Sequence, residues 1–80
     1  MWYVYIIETE KNTPYTGITK DIERRMLEHK NSVGAKFTRA FGFKELLYKE
    51  EHPDRPSTLK REAEIKRLTS EEKRNIINLK

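Results

Sequence analysis

Tyr3-Val4-Tyr5-Ile6-Ile7 and Tyr15-Thr16-Gly17-Ile18 are the two short hydrophobic runs on which the fold turns. Both are rich in β-branched and aromatic residues, and Asn12-Thr13-Pro14 between them is a turn signal. That combination predicts a strand over 2–8, a short second strand over 15–18, and a hairpin joining them. Alternation puts Trp2, Val4 and Ile6 on one face of the first strand, with Tyr3, Tyr5 and Ile7 on the other. Pro14 falls at the strand entrance, where its missing N–H does least harm.

Working outward, Thr19 can cap a helix over 20–31, with Asp21 and Glu23 favouring the positive end of its dipole. Residues 32–42, with Gly34 and Gly42, read as a loop, and 43–50 as a third strand. Pro53-Asp54-Arg55-Pro56 turns the chain into a helix over 57–68. Thr69 and Glu72 stand at capping-box spacing before a last helix whose apolar residues are Ile76, Ile77 and Leu79. The expectation is one α+β domain over 1–80, a small three-stranded antiparallel sheet with three helices in the order β-β-α-β-α-α. No repeat, low-complexity tract or linker interrupts it.

At 80 residues, folding buries only about 60% of the chain's surface, so polar residues near so small a core need a reason to be there. The absence of cysteine excludes a disulfide framework and thiolate metal sites, and fits a reducing, cytoplasmic setting. No basic n-region precedes the first apolar run, and no run approaches a membrane span. The net charge of +4 comes from 17 basic and 13 acidic residues. Its distribution says more than its sum. No acid occurs between Glu28 and Glu45, while Lys30, Lys36, Arg39 and Lys44 all fall there. Such a stretch is a candidate phosphate-contacting surface, the alternative being a solvated lysine-rich loop.

In the first helix Ile22 and Met26 define the expected buried stripe. Arg25 and His29 lie on its edge, with Arg24 and Glu28 turned to solvent. Arg25 could instead pair with Asp21, and His29 could be an ordinary interfacial histidine. In the next helix Leu59, Ala63 and Ile65 bracket an apolar arc that contains Glu62, with Arg61 and Glu64 outside it. A carboxylate turned toward a small core is costly unless it is paired or binds a cation, and Lys66 one turn on is the obvious pairing partner.

These residues resemble those of the GIY-YIG nuclease domain family. Tyr3-Val4-Tyr5 is similar to its first motif and Tyr15-Thr16-Gly17 to its second, with nine residues between Tyr5 and Tyr15. Arg25 matches the family's helix arginine, His29 a position held by histidine or tyrosine, and Glu62 the metal-binding glutamate. Tyr3 and Val4 replace the first motif's glycine and isoleucine, and Thr16 replaces the second motif's isoleucine. No residue clearly matches the asparagine that some members carry near the C-terminus. The chain is most similar to small stand-alone bacterial members, and also to the N-terminal nuclease domain of the excision-repair incision protein.

The resemblance implies an endonuclease that hydrolyses DNA phosphodiester bonds with one divalent ion, Mg²⁺ or Mn²⁺, held by Glu62. Tyr15 is the favoured residue to orient or deprotonate the attacking water, with Tyr5 the alternative. Arg25 would neutralise charge on the phosphate, and His29 would hold a tyrosine or shuttle a proton. Gly17 would allow close backbone approach, while Lys30, Lys36 and Arg39 would contact the DNA backbone. Duplex, branched and single-stranded DNA all stay open as substrates, as does DNA repair among several roles. A helper protein would fit so small a chain, though no residue points to one. The competing expectations are a nucleic-acid-binding module with weak or no cleavage, and an interaction domain on a nuclease scaffold.

Overall fold

The computed structural model describes residues 1–31 and 36–78, with the side chains of 36–38 excepted. Its elements are β1 (Trp2–Glu8), β2 (Pro14–Thr19), α1 (Ile22–Lys30), α2 (Lys36–Phe41), β3 (Glu45–His52), α3 (Arg55–Lys66) and α4 (Ser70–Asn78). The three strands form one antiparallel sheet in the order β2-β1-β3. The α+β architecture is the one expected, with one addition. Residues 36–41, read as loop, form the short helix α2, which packs against α1. Gly34 and Leu79 lie outside the described residues.

As the central strand, β1 is buried continuously from Val4 to Glu8. Its Val4 and Ile6 meet Tyr48 and Ile65 in the core, and Ile18, Leu47, Ile76 and Ile77 pack around them. Pairing with β2 sets Tyr5 opposite Gly17 and Ile7 opposite Tyr15, so these four residues share the other face. Along β3 the register slips between Ile6 and Ile7. The extra residue lets the consecutive Leu47 and Tyr48 both reach the core cluster.

The helix ends correct two expectations. Asp21, not Thr19, caps α1, its carboxylate accepting from Arg24 N–H at 3.1 Å. The Thr19 hydroxyl supports the cap instead by accepting from Asp21 N–H at 3.1 Å. Asp54 caps α3 by accepting from Ser57 N–H at 2.9 Å, so the helix starts two residues early, with Pro56 in its first turn. At α4 the capping box forms as read, with Glu72 N–H donating to Thr69 Oγ1 at 3.1 Å and Thr69 N–H to Glu72 Oε1 at 2.9 Å. Arg74 of α4 then clamps the Glu8 carboxylate through both terminal nitrogens, each at 3.1 Å.

The buried face of α3 differs from the apolar arc read in its sequence. Thr58 and Ile65 are fully buried, with Arg61, Glu62 and Leu68 half-buried, whereas Ala63 and Leu59 are exposed. A threonine anchors this face: Thr58 donates its hydroxyl to Asp54 C=O at 2.6 Å, so its polar atom is satisfied while its methyl packs. Hydrophobicity alone could not show that phase. Arg61 points inward and donates to Glu50 of β3 at 2.8 Å. Glu50 also meets His52 at 2.8 Å and accepts the Tyr48 hydroxyl, a network that ties α3 to the sheet beside Glu62.

Candidate active site

The site is built on the Tyr5 face of the sheet. Gly17, across from Tyr5, is required by space: a Cβ there would lie 2.5 Å from the Tyr5 hydroxyl. The tyrosine ring therefore lies over bare backbone, and its hydroxyl extends past β2 toward α1. There it meets His29 Nε2 at 2.8 Å and receives a hydrogen bond from Arg25 Nε at 3.3 Å. The Tyr5 and His29 rings stand edge to face, with centroids 5.6 Å apart; Tyr15 approaches the same imidazole at 5.8 Å. Phe43 stacks on His29 at 6.3 Å with the rings nearly parallel.

His29 is fully buried, not at the rim where its helical position suggested, while Ile22 and Met26 are only half-buried. The small sheet covers one narrow strip of α1, and His29, hydrogen-bonded to Tyr5, lies in it. Burial is the main cause that depresses the His29 pKa to about 4, and the Arg25 charge adds to it against Glu28. The imidazole is thus neutral at physiological pH. Burial likewise raises the Tyr5 pKa. The Arg25 hydrogen bond and charge oppose that rise, and the Tyr15 and Glu62 groups reinforce it. A neutral His29 can accept the Tyr5 proton at Nε2 while the phenol oxygen accepts from Arg25.

Arg25 does not pair with Asp21, which is occupied as a cap. It donates to Glu28 at 2.8 Å, and Arg24 approaches the other Glu28 oxygen at 3.4 Å. Expected in solvent, Glu28 is half-buried and pins the arginine. Its spacing of three and four from the two arginines was the signal that could have identified it. The Arg25 side chain keeps 23% of its surface exposed and opens into a cleft of about 380 Å³ that Trp2, Lys20 and Arg24 also line.

The Glu62 side chain is 17% exposed, and Lys66 Nζ stands 3.2 Å from its carboxylate. The pairing read as its ordinary alternative is therefore present, and the Glu62 charge is the least of the influences on the Tyr5 pKa. No group of three or more His, Asp or Glu side chains suited to a metal occurs among the described residues. A single carboxylate of this kind fits a hard divalent cation that keeps most of its shell as water, which is the habit of Mg²⁺.

Tyr5, Tyr15, Gly17, Arg25 and His29 thus come together from the hairpin and α1, and Glu62 is presented by α3. Lys30 and Arg39 lie apart from them, lining a second cleft of about 520 Å³ with Lys11 and Phe41. Lys36 begins α2, but its side chain is outside the described residues. Phe43, read as the start of a strand, precedes β3 and serves as a wall of the His29 pocket.

Comparison with known proteins gives the family and the fold. The model of the GIY-YIG catalytic domain matches residues 1–75. A UPF0213 protein of Staphylococcus saprophyticus is 38% identical over 76 residues, covering 95% of this chain and 93% of its own. One from Desulfotalea psychrophila is 43% identical over 77 residues, with 95% and 70% covered. The solution NMR structure of a UPF0213 protein from Bacillus halodurans is 36% identical, with a TM-score of 0.63 over 100% of this chain and 86% of that one.

Proposed function

The chain belongs to the GIY-YIG catalytic domain family, a nuclease family, and from that premise we propose that it is a divalent-metal-dependent endonuclease acting on DNA. The observation that carries the proposal is the convergence of both tyrosines, Arg25, His29 and the influence of Glu62 on one hydroxyl-centred site.

In this reading Arg25 holds a non-bridging phosphate oxygen, with Glu28 fixing the guanidinium in place beforehand. Tyr15, half-buried where Tyr5 is 1% exposed, faces the substrate and orients the attacking water or takes its proton. The sealed Tyr5–His29 pair positions Tyr15 through the shared imidazole. Glu62 would hold one Mg²⁺ or Mn²⁺ ion, releasing Lys66, and that ion would supply Lewis-acid stabilisation of phosphate charge. Lys30, Arg39 and Lys36 contact neighbouring phosphates and contribute affinity more than sequence preference.

The test is cleavage of labelled duplex, branched and single-stranded DNA by wild type and Glu62→Ala, each with Mg²⁺, Mn²⁺ or chelator. Metal-dependent cutting that disappears in the variant is expected. Equal cutting by both proteins, or none by either, contradicts the proposal. The Glu62–Lys66 ion pair favours a second reading, a binding module in which the carboxylate is already satisfied. DNA binding that survives without any cleavage would select it.

A further inference from the structure

Trp2 opens β1 at the edge of the cleft that contains Arg25, and two cations sit on its indole ring. Lys20 Nζ is 5.4 Å from the ring centroid, and the Arg55 guanidinium is 5.8 Å from it. Neither cation has a carboxylate partner among the described residues, so both are available to an incoming anion. Arg24 and Arg25 complete the cleft; its one acid, Glu28, is already held by those two arginines.

The position of this cleft follows from β1 and α1. Trp2 starts β1 and Tyr5 is at its middle, while Lys11 lies beyond its end. Arg24 and Arg25 sit near the start of α1, and Lys30 is its last residue. The helix spans roughly 13 Å, so the Trp2 cleft and the Lys30–Arg39 cleft open toward opposite ends of the same site.

We propose that the Trp2 cleft seats an unpaired nucleotide of a DNA strand, its base taking a cation's place on the indole and its phosphates drawing Lys20 and Arg55 off the ring, with Arg24 beside them. Arg25 holds the adjacent phosphate, so this assignment rests on the nuclease reading for the nature of the ligand. A surface that only follows duplex phosphates needs cations and no flat ring. An aromatic platform acts on a base whose face is free, which paired and stacked bases do not offer. The substrate class that fits is DNA with a single-stranded segment on the Trp2 side of the cut.

Trp2 is the sole tryptophan in the chain, so its emission reports on this cleft alone. The experiment titrates the protein, in chelator, with a short oligothymidylate and with a blunt duplex, following tryptophan emission and the polarisation of labelled DNA together. Saturable quenching by the single strand and little by the duplex is expected. Trp2→Ala should weaken single-strand binding about five- to a hundred-fold, as expected for loss of one stacked base, and leave duplex binding unchanged. Trp2→Phe should recover most of it. Binding without quenching, equal quenching by both DNA forms, or an equal loss for both in Trp2→Ala overturns the assignment. Wild-type quenching decides the matter alone if Trp2→Ala does not fold. The two readings fail separately: quenching without cleavage in Mg²⁺ removes the nuclease, whereas cleavage of blunt duplex without quenching removes only the stacking site.

Discussion

The two faces of β1 use the same strand for opposite purposes. On one, Val4 and Ile6 pack against Ile65 and Tyr48 with no polar partner needed beyond the Tyr48 hydroxyl. On the other, Tyr5 is equally buried but ends in a hydroxyl tied to His29 and Arg25. The first face gains stability in proportion to apolar area removed from water. The second buries titratable groups and must satisfy each of them to offset desolvation. A small domain can keep such a site because its central strand is covered on both sides, so the stabilising face supports the chemical one.

That contrast should break first at Ile65. Ile65→Ala removes a fully buried side chain and is expected to cost about 2–5 kcal/mol, read by denaturant titration. A cost below about 1 kcal/mol would mean the core lies elsewhere.

On the opposite face the expected sensitivity is to pH. His29 titrates near 4 when folded and near 6.5 when unfolded, so the unfolded chain binds the additional proton between those values. Stability from this group is complete above about pH 6.5 and falls as pH drops toward 4, by roughly 3 kcal/mol in all. His29→Gln should flatten the slope of stability against pH between about 4.5 and 6.5. An unchanged slope in that variant would place the titration on another group.

The smallest effect expected is at Thr16, whose buried hydroxyl has no hydrogen-bond partner among the described residues. Thr16→Val should be neutral or stabilise by up to about 1 kcal/mol, since it removes a desolvated polar atom at nearly constant shape. A loss of more than about 1 kcal/mol in thermal unfolding would reveal a hydrogen bond at that hydroxyl.

The same division explains how much could be read from the sequence. The hairpin, the central sheet and the α4 capping box are local, written in alternation, turn residues and spacing. Tyr5 and Tyr15 stand out by their place in the two strand motifs, and Arg25, His29 and Glu62 as polar groups beside apolar stripes; the resemblance to a known family is what joined them into one set. What they touch could not be read there. Glu28 looked like a solvent residue because helical periodicity assigns a face but not the reach of a neighbouring arginine. His29 looked like a rim residue because the width of the strip that β1 covers is a tertiary property. The α3 phase was misread because Thr58 buries a methyl behind a hydroxyl bonded within its own helix. The short α2 has no strong signal of its own and forms where it can lean on α1.

If one face of β1 serves stability and the other serves cleavage, Arg25→Ala should separate the two. Its partners, Glu28 and the Tyr5 hydroxyl, lie outside the apolar cluster of Val4, Ile6, Tyr48 and Ile65. Melting temperature and DNA cleavage rate should be measured on the same preparation, beside wild type. Cleavage should fall about 10²-fold or more, as when a transition-state charge partner is lost, with the melting temperature moved by only a few degrees at most. A melting temperature that falls as far as in Ile65→Ala, with cleavage per folded molecule unchanged, would contradict that division.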